Sequence, residues 1–284
     1  MPTLSVEIYQ SLMDALAARC QATGEPLRHL VSRALSDALG LDHATLFQIS
    51  TGTALVEGVH DKATTVGDLR SHGDFGLGTF EGLDGEMVVL DGHFYQAHVD
   101  GRITEAPDGA AVPFAVVTNF SPQHRASLSA IGSIDALTAA LDRLRRSQNL
   151  FFAVRLDGTF AELHLRVACR VPPGTPLVEA AHRQAEFHLA GERGTIVGFW
   201  SPAYTRMVSV AGWHFHFLSA DRRKGGHVLG CKADHLDAEV QDLDDFRLAM
   251  PETRQFLRAD FTRDPSAALD EAERAATPTV PPSF

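Results

Sequence analysis

Three histidines stand where strands would bring them together. The segment Gly212-Trp213-His214-Phe215-His216-Phe217 sets two imidazoles two residues apart. Along a strand, alternate residues share a face, so His214 and His216 point one way while Trp213, Phe215 and Phe217 point the other. Residues 219–226 are polar and end in Gly225-Gly226, so they can return the chain as a neighbouring strand with His227 beside the pair. Three imidazoles on one face suit a catalytic zinc site, in which three protein ligands leave a position open. The same spacing also fits two unrelated strand histidines and a loop histidine, because His-x-His is short and common.

Two further segments carry candidate chemistry. Gly73-Asp74-Phe75-Gly76-Leu77-Gly78-Thr79-Phe80 is followed by Leu83-Asp84-Gly85-Glu86. Three glycines so close together let the backbone pack against something. The plainer reading is a glycine-rich turn entering a strand, with Glu86 solvated. In Leu163-His164-Leu165-Arg166-Val167-Ala168-Cys169-Arg170, alternation puts Arg166 and Arg170 on the face of His164 and Ala168. Arginines on an interior strand need anionic partners or a wet cleft; on a surface strand they are simply exposed.

The elements that must position these residues follow from periodicity. Residues 3–8 alternate, with Leu4, Val6 and Ile8 on one face, as a short strand does. Leu12, Met13, Leu16, Ala17 and Cys20 recur at helical spacing up to Gly24, and Pro26 suits the first turn of a second helix. Leu27, Leu30, Val31, Ala34, Leu35, Ala38 and Leu39 mark its stripe, and Gly40 is a fitting stop. Strand, helix, helix in forty residues resembles a ribbon-helix-helix module, too small to stand alone and expected to pair with a second copy. Beyond it, Thr65 is placed to cap a turn over 66–72. Strands are expected over 45–50, over 86–106 with breaks at Asp91-Gly92 and Asp100-Gly101, and over 113–120. Ser133 caps an amphipathic helix carrying Ile134, Leu137, Leu141 and Leu144, with Arg143, Arg145 and Arg146 at its C-terminal end. A hairpin is expected through Asp157-Gly158, joining 150–157 to 159–171. A short helix over 177–184 follows, then strands over 194–200, 207–218 and 227–232, and short helices over 243–248 and 252–258. Residues 277–284 hold three prolines and read as an extended tail. Strands and helices mix without strict alternation, so the fold class is α+β.

The bulk properties exclude several roles. A chain of 284 residues with 44% apolar residues can bury a sizeable core, and a net charge of -11 argues against general affinity for nucleic acid or anionic membranes. Cys20, Cys169 and Cys231 are odd in number and widely spaced, which suits reduced thiols in the cytoplasm rather than a disulfide framework. No signal-peptide pattern opens the sequence, and no run reaches the roughly 18 apolar residues of a membrane span.

Together these blocks resemble the acetolactate decarboxylase family. The resemblance runs from about residue 46 to about residue 257. It rests on Leu46-Phe47-Gln48-Ile49-Ser50, Thr65-Val66-Gly67-Asp68-Leu69-Arg70, residues 72–80, Leu83-Asp84-Gly85-Glu86, Pro113-Phe114-Ala115-Val116, Asn149-Leu150-Phe151, the His214/His216 segment and residues 221–229, in the family's order. It implies a zinc ion bound by His214, His216 and His227, with Glu86, Arg166 and Thr79 lining the site. It also implies two similar α+β halves with the metal in a cleft, a homodimer, and conversion of (2S)-2-acetolactate to (R)-acetoin and CO₂. The family often carries a C-terminal glutamate that folds back into the site; Glu271 and Glu273 are the candidates here. The expected organisation is residues 1–41 as a dimerising extension, 42–148 and 149–276 as the halves, and 277–284 as a tail.

Such a substrate is a β-keto acid and carries its own electron sink, so neither thiamine nor pyridoxal is expected. Arg166 is the expected donor to the carboxylate or the developing enediolate, because its planar fork matches both. Glu86 is the first choice for the acid that protonates carbon and Glu273 the second. Other readings remain. A cupin-like barrel also uses His-x-His, but no glutamate follows His216 at short spacing. A zinc-binding protein that lost the activity is argued against by the intact Glu86, Arg166 and histidines. A DNA-binding regulator would need more cations than residues 1–41 offer, with three arginines and no lysine against four acids.

Overall fold

The computed structural model describes residues 5–39 and 44–273. Contacts divide the chain into two compact units that part between residues 43 and 44. The first holds α1 (Gln10–Thr23) and α2 (Leu27–Leu39). Gly24 ends α1 in the left-handed region at φ 73°, and its N–H reaches the Cys20 carbonyl at 2.8 Å. Pro26 stands just before α2, and its carbonyl accepts from Leu30 N–H. Arg33 and His29 lean back on Glu25, at 2.6 and 3.4 Å, tying the first turns of α2 to the connection. Residues 5–9 do not form the expected strand. A strand is defined by its pairing, and none of the described residues of the chain pairs with this segment. Residues 3, 4 and 40 of that reading, and the tail 277–284, lie outside the described residues.

The second unit opens with β1 (Thr45–Ile49), α3 (Gly52–Val56), β2 (Thr64–Thr65), α4 (Val66–Leu69), β3 (Phe75–Thr79), β4 (Glu86–Leu90), β5 (His93–Ala97), β6 (Ile103–Glu105), β7 (Ala111–Val112) and β8 (Phe114–Thr118). It continues through β9 (His124–Ile131), α5 (Ile134–Asp142), β10 (Phe151–Val167), α6 (Leu177–Ala181), β11 (Ala185–Ser201), β12 (Gly212–Ser219), β13 (Gly225–Leu243), β14 (Asp245–Ala249), α7 (Arg254–Arg258) and α8 (Ser266–Glu273). The fold is α+β.

Seven strands form one sheet in the order β14-β1-β8-β3-β4-β5-β6. Every residue of β1, β3, β4 and β8 is buried, as their near-continuous apolar runs require of strands covered on both faces. One cover is a layer around Phe47, Val66, Met87 and Phe94; the other joins Leu46, Phe75 and Val88 to Phe151, Val197 and Leu218 of the second sheet. Thr65 caps α4 in a reciprocal box with Asp68, and Ser133 caps α5, both as expected. Residues 243–248 were expected to be helical. Leu243 instead ends β13 and residues 245–248 belong to β14, which runs parallel to β1 in register Thr45↔Asp245 to Ile49↔Ala249. Leu243, Phe246 and Leu248 make too short a pattern to separate helix from strand, and the open edge of β1 decides for strand.

The second sheet runs β10-β11-β12-β13-β9, and β10 also pairs with β13, so β10 to β13 close on themselves. No hairpin forms at Asp157-Gly158: β10 passes straight through as one 17-residue strand. Gly158 serves close packing rather than turning, because a Cβ there would stand 2.7 Å from Leu236 and 2.8 Å from the His235 carbonyl. The strands flanking it are longer than periodicity suggested, since each barrel strand is satisfied on both edges. The expected strand over 207–218 starts only at Gly212, and α6 stops at Ala181. Strand membership crosses residue 149, with β9 in the second sheet and β14 in the first.

Candidate metal centre

The β12–β13 hairpin sets the register of the histidines. Its turn is fixed by Ser219 Oγ, which donates to Asp221 and accepts from the Arg223 and Lys224 amides. The pairing that follows sets His216 opposite His227, and β10 sets Arg166 opposite His227 from the other edge. Arg166, His227 and His216 therefore form one row across three strands, with His214 two residues along on the same face. Phe215 and Phe217 point the other way into the core under α5. Gly226 makes the approach possible: a Cβ there would lie 2.6 Å from the Arg166 carbonyl.

One ligating nitrogen from each of His214, His216 and His227 can be chosen so that all lie within 4.8 Å of one another, a group that could hold a metal ion. His216 Nδ1–H donates to the Met87 carbonyl at 2.7 Å, which fixes the tautomer and turns Nε2 inward. That Nε2 is buried and has no hydrogen-bond partner, as a nitrogen reserved for a metal would be. His214 Nε2 lies 3.1 Å from His227 Nδ1. Burial, with the charge of Arg166, pushes His214 to about 3. Burial first, with His214 and Arg166 among the further causes, pushes His216 to about 3. His227 is pushed well below its usual value by burial and Arg166. All three are neutral at physiological pH, the form that binds metal.

Two carboxylates face this group. Glu86, at the start of β4, is 7% exposed; its Oε1 accepts from Ala168 N–H and its Oε2 lies 3.5 Å from His216 Nε2. Burial raises its pKa to about 7, the charge of Glu273 adds to this, and Arg166 opposes it. Glu273, in the last turn of α8, reaches in with Oε2 3.5 Å from His214 and 3.4 Å from His227, and Oε1 3.4 Å from Arg166. Arg166 donates to Gln184 Oε1 at 3.2 Å and to the Ala272 carbonyl, so α8 is latched by the same guanidinium that faces the cavity.

A pocket with neutral imidazoles, one fixed guanidinium and two carboxyl groups can hold a small chelating anion and exchange a proton with it. The family model for alpha-acetolactate decarboxylase matches residues 46–263. This chain belongs to the alpha-acetolactate decarboxylase family. The enzyme of that name from Methylococcus capsulatus is 43% identical over 236 residues, covering 83% of this chain and 91% of the relative. The one from Brevibacillus brevis is 36% identical over 229 residues, 80% of each. The crystal structure of the Bacillus subtilis strain 168 alpha-acetolactate decarboxylase superposes with a TM-score of 0.78 at 33% identity, covering 82% of this chain and all of that one.

Within this decarboxylase-family pocket, Thr79 lies beside Glu86 on β3, and its hydroxyl donates to the Gly85 carbonyl at 2.7 Å. Its glycine-rich block forms no turn: Gly76 and Gly78 let β3 lie against β8, where a Cβ would come within 2.4 and 2.5 Å of carbonyl oxygens. Of the two C-terminal candidates only Glu273 enters; Glu271 is exposed and lies 3.7 Å from His182. Arg170 is not in the pocket, because β10 ends at Val167 and the side chain turns outward, 3.7 Å from Asp84. His164 keeps the Arg166 face but lies two residues along β10, opposite His188, and pairs with Glu186 at 2.8 Å outside the pocket. Sequence reasoning missed Gln184 and the apolar wall of Leu55, Phe114, Leu177 and Val210. Phe114 belongs to a block that carries the family resemblance, but nothing in the local sequence marks any of them as pocket wall; only their convergence in space does.

Proposed function

We propose that this chain converts (2S)-2-acetolactate to (R)-acetoin and CO₂, with zinc bound by His214, His216 and His227. The observation that carries the reading is the buried, unpartnered His216 Nε2 beside two neutral imidazoles, in the same pocket as Arg166, Glu86 and Glu273. Neutral nitrogen donors around an open position suit zinc. Zinc held by these three histidines would supply a Lewis acid to the oxygens of the substrate. Arg166 is buried and held by Gln184 and Ala272, so its fork is already aimed when the carboxylate arrives. As the carbon–carboxylate bond breaks, its electron pair moves toward the ketone oxygen, and the same guanidinium stabilises the charge that collects. Glu86, whose carboxyl pKa is raised by burial, faces the histidines and is the first candidate to deliver a proton to the carbon that lost CO₂. Glu273 stands on the other side of the histidines as the second candidate for that transfer. The apolar wall keeps water from competing for the carbanion-like carbon.

The reading extends to a homodimer in the cytoplasm that does not bind nucleic acid. The net charge of -11 and three free cysteines are consistent with it, and no helix among the described residues is long and apolar enough to cross a membrane. The deciding assay is acetoin formation from racemic acetolactate, with the metal-loaded chain, after chelation, and after zinc is restored. Consumption of half the racemate, abolished by chelation and restored by zinc, is the expected result. No acetoin from the metal-loaded chain sinks the activity; turnover indifferent to chelation sinks the zinc site.

A further inference from the structure

The first unit of the chain lies outside the family match, which begins at residue 46. Its surface is unusual. Eight of its large apolar side chains are between 40% and 86% exposed, among them Val6, Ile8, Tyr9, Leu12, Met13 and Leu39. None of the fourteen residues of α1 is buried. Ahead of α1, residues 5–8 take no regular structure, and among the described residues nothing hydrogen-bonds to their backbone. Val6 and Ile8 alternate with Ser5 and Glu7, so a strand formed here has one apolar face and two open edges. Such an edge is a template for another strand.

We propose that residues 5–39 are a self-association surface, in which two copies of this chain pair their 5–9 segments as an antiparallel ribbon and close the apolar faces of α1 and α2 over it. At roughly 100 Å² each, the eight exposed side chains offer on the order of 800 Å² per copy, the patch that each partner of a standard interface buries. Charge points to the same occupant. The unit carries three arginines and no lysine against Glu7, Asp14, Glu25 and Asp37, so it is nearly balanced. It presents no cationic surface to a nucleic acid or an anionic membrane, and it meets a second copy with little repulsion.

The sequence also selects the register. Centring the ribbon on Val6 sets Ser5 opposite Glu7 and keeps the two glutamates apart. Centring it on Glu7 would set like charges face to face, which destabilises a pair of strands. In the favoured register the two Val6 residues oppose each other, at a Cα separation of about 4.5–5.5 Å, within disulfide reach.

The test is oxidation of the full-length Val6→Cys chain under mild conditions, followed on a non-reducing gel. The parent chain, with Cys20, Cys169 and Cys231, and the exposed Ser127→Cys variant on β9 serve as controls. The expected result is a covalent dimer from Val6→Cys at least ten times faster than from either control. Adding Ile8→Asp and Leu12→Asp to Val6→Cys should slow that cross-link tenfold or more. Cross-linking no faster than the controls, or unaffected by the two aspartates, overturns the inference. So does DNA retardation by the full chain without the covalent dimer. A chain that cross-links through Val6 but forms no acetoin keeps this inference and fails the catalytic one.

Discussion

At the scale of single residues, the three histidines differ in what holds them. His216 is anchored through Met87 and is almost fully buried, whereas His214 is the more open of the set. Substituting either one, or His227, by alanine should remove metal and turnover together, read by metal analysis of the purified variants. Full metal content in all three would refute the ligand assignment. Arg166→Ala and Glu86→Gln should keep the metal and lose about a hundredfold or more in kcat, the scale of a lost electrostatic stabiliser or general acid. Normal turnover by Glu86→Gln alongside an inactive Glu273→Gln would move the proton donor to α8. A third residue matters for stability rather than chemistry. His60 is buried with Nδ1 unpartnered, and burial lowers its pKa from 6.5. Below pH 6.5 the unfolded chain then binds a proton that the folded chain does not. Stability is fully present above pH 6.5 and falls as pH drops below it. His60→Gln, whose amide can still donate to the Leu55 carbonyl, should flatten that loss in urea titrations at pH 5 and pH 7.5; an unchanged slope would exonerate His60.

At the scale of elements, the β12–β13 hairpin was legible. Alternation gave the shared face, and the polar 219–226 segment gave the return. β10 was not. Asp-Gly is a strong local signal for a hairpin turn, yet Gly158 is paired on both sides, to Gly194 and to Leu236. Close approach of two strands and reversal of one both call for glycine, and a single sequence does not distinguish them. Gly158→Val should destabilise the chain by about 1–3 kcal/mol, the usual cost of overpacking, measured by urea denaturation. An unshifted midpoint would contradict the close approach of β13 at Gly158.

At the scale of the whole molecule, the two sheets each borrow a strand across residue 149. The halves expected over 42–148 and 149–276 are therefore interlocked. Expressed separately, fragments 44–148 and 149–284 should each be insoluble, because each leaves a buried strand edge unpaired; co-expression should restore a soluble, metal-binding pair. Solubility of either fragment alone would argue that the exchange is dispensable. The pocket depends on the same interlock. Glu86 comes from the first sheet, the histidines and Arg166 from the second, and Glu273 from α8, so no fragment holds the complete site.

The sequence by itself determined the histidine face, the helix starts at Thr65 and Ser133, the α+β class and, through its motifs, the family. Each of these depends on residues near one another along the chain, where periodicity and side-chain capping act. The tertiary structure decided what depends on distant partners. It made residues 245–249 a strand because β1 had an open edge, and carried β10 through Gly158 because Leu236 lies against it. It turned Arg170 out of the pocket and Arg166 in, because β10 ends between them. It chose Glu273 over Glu271, two residues away on one helix, because only Glu273 projects toward the imidazoles where α8 is latched to Arg166.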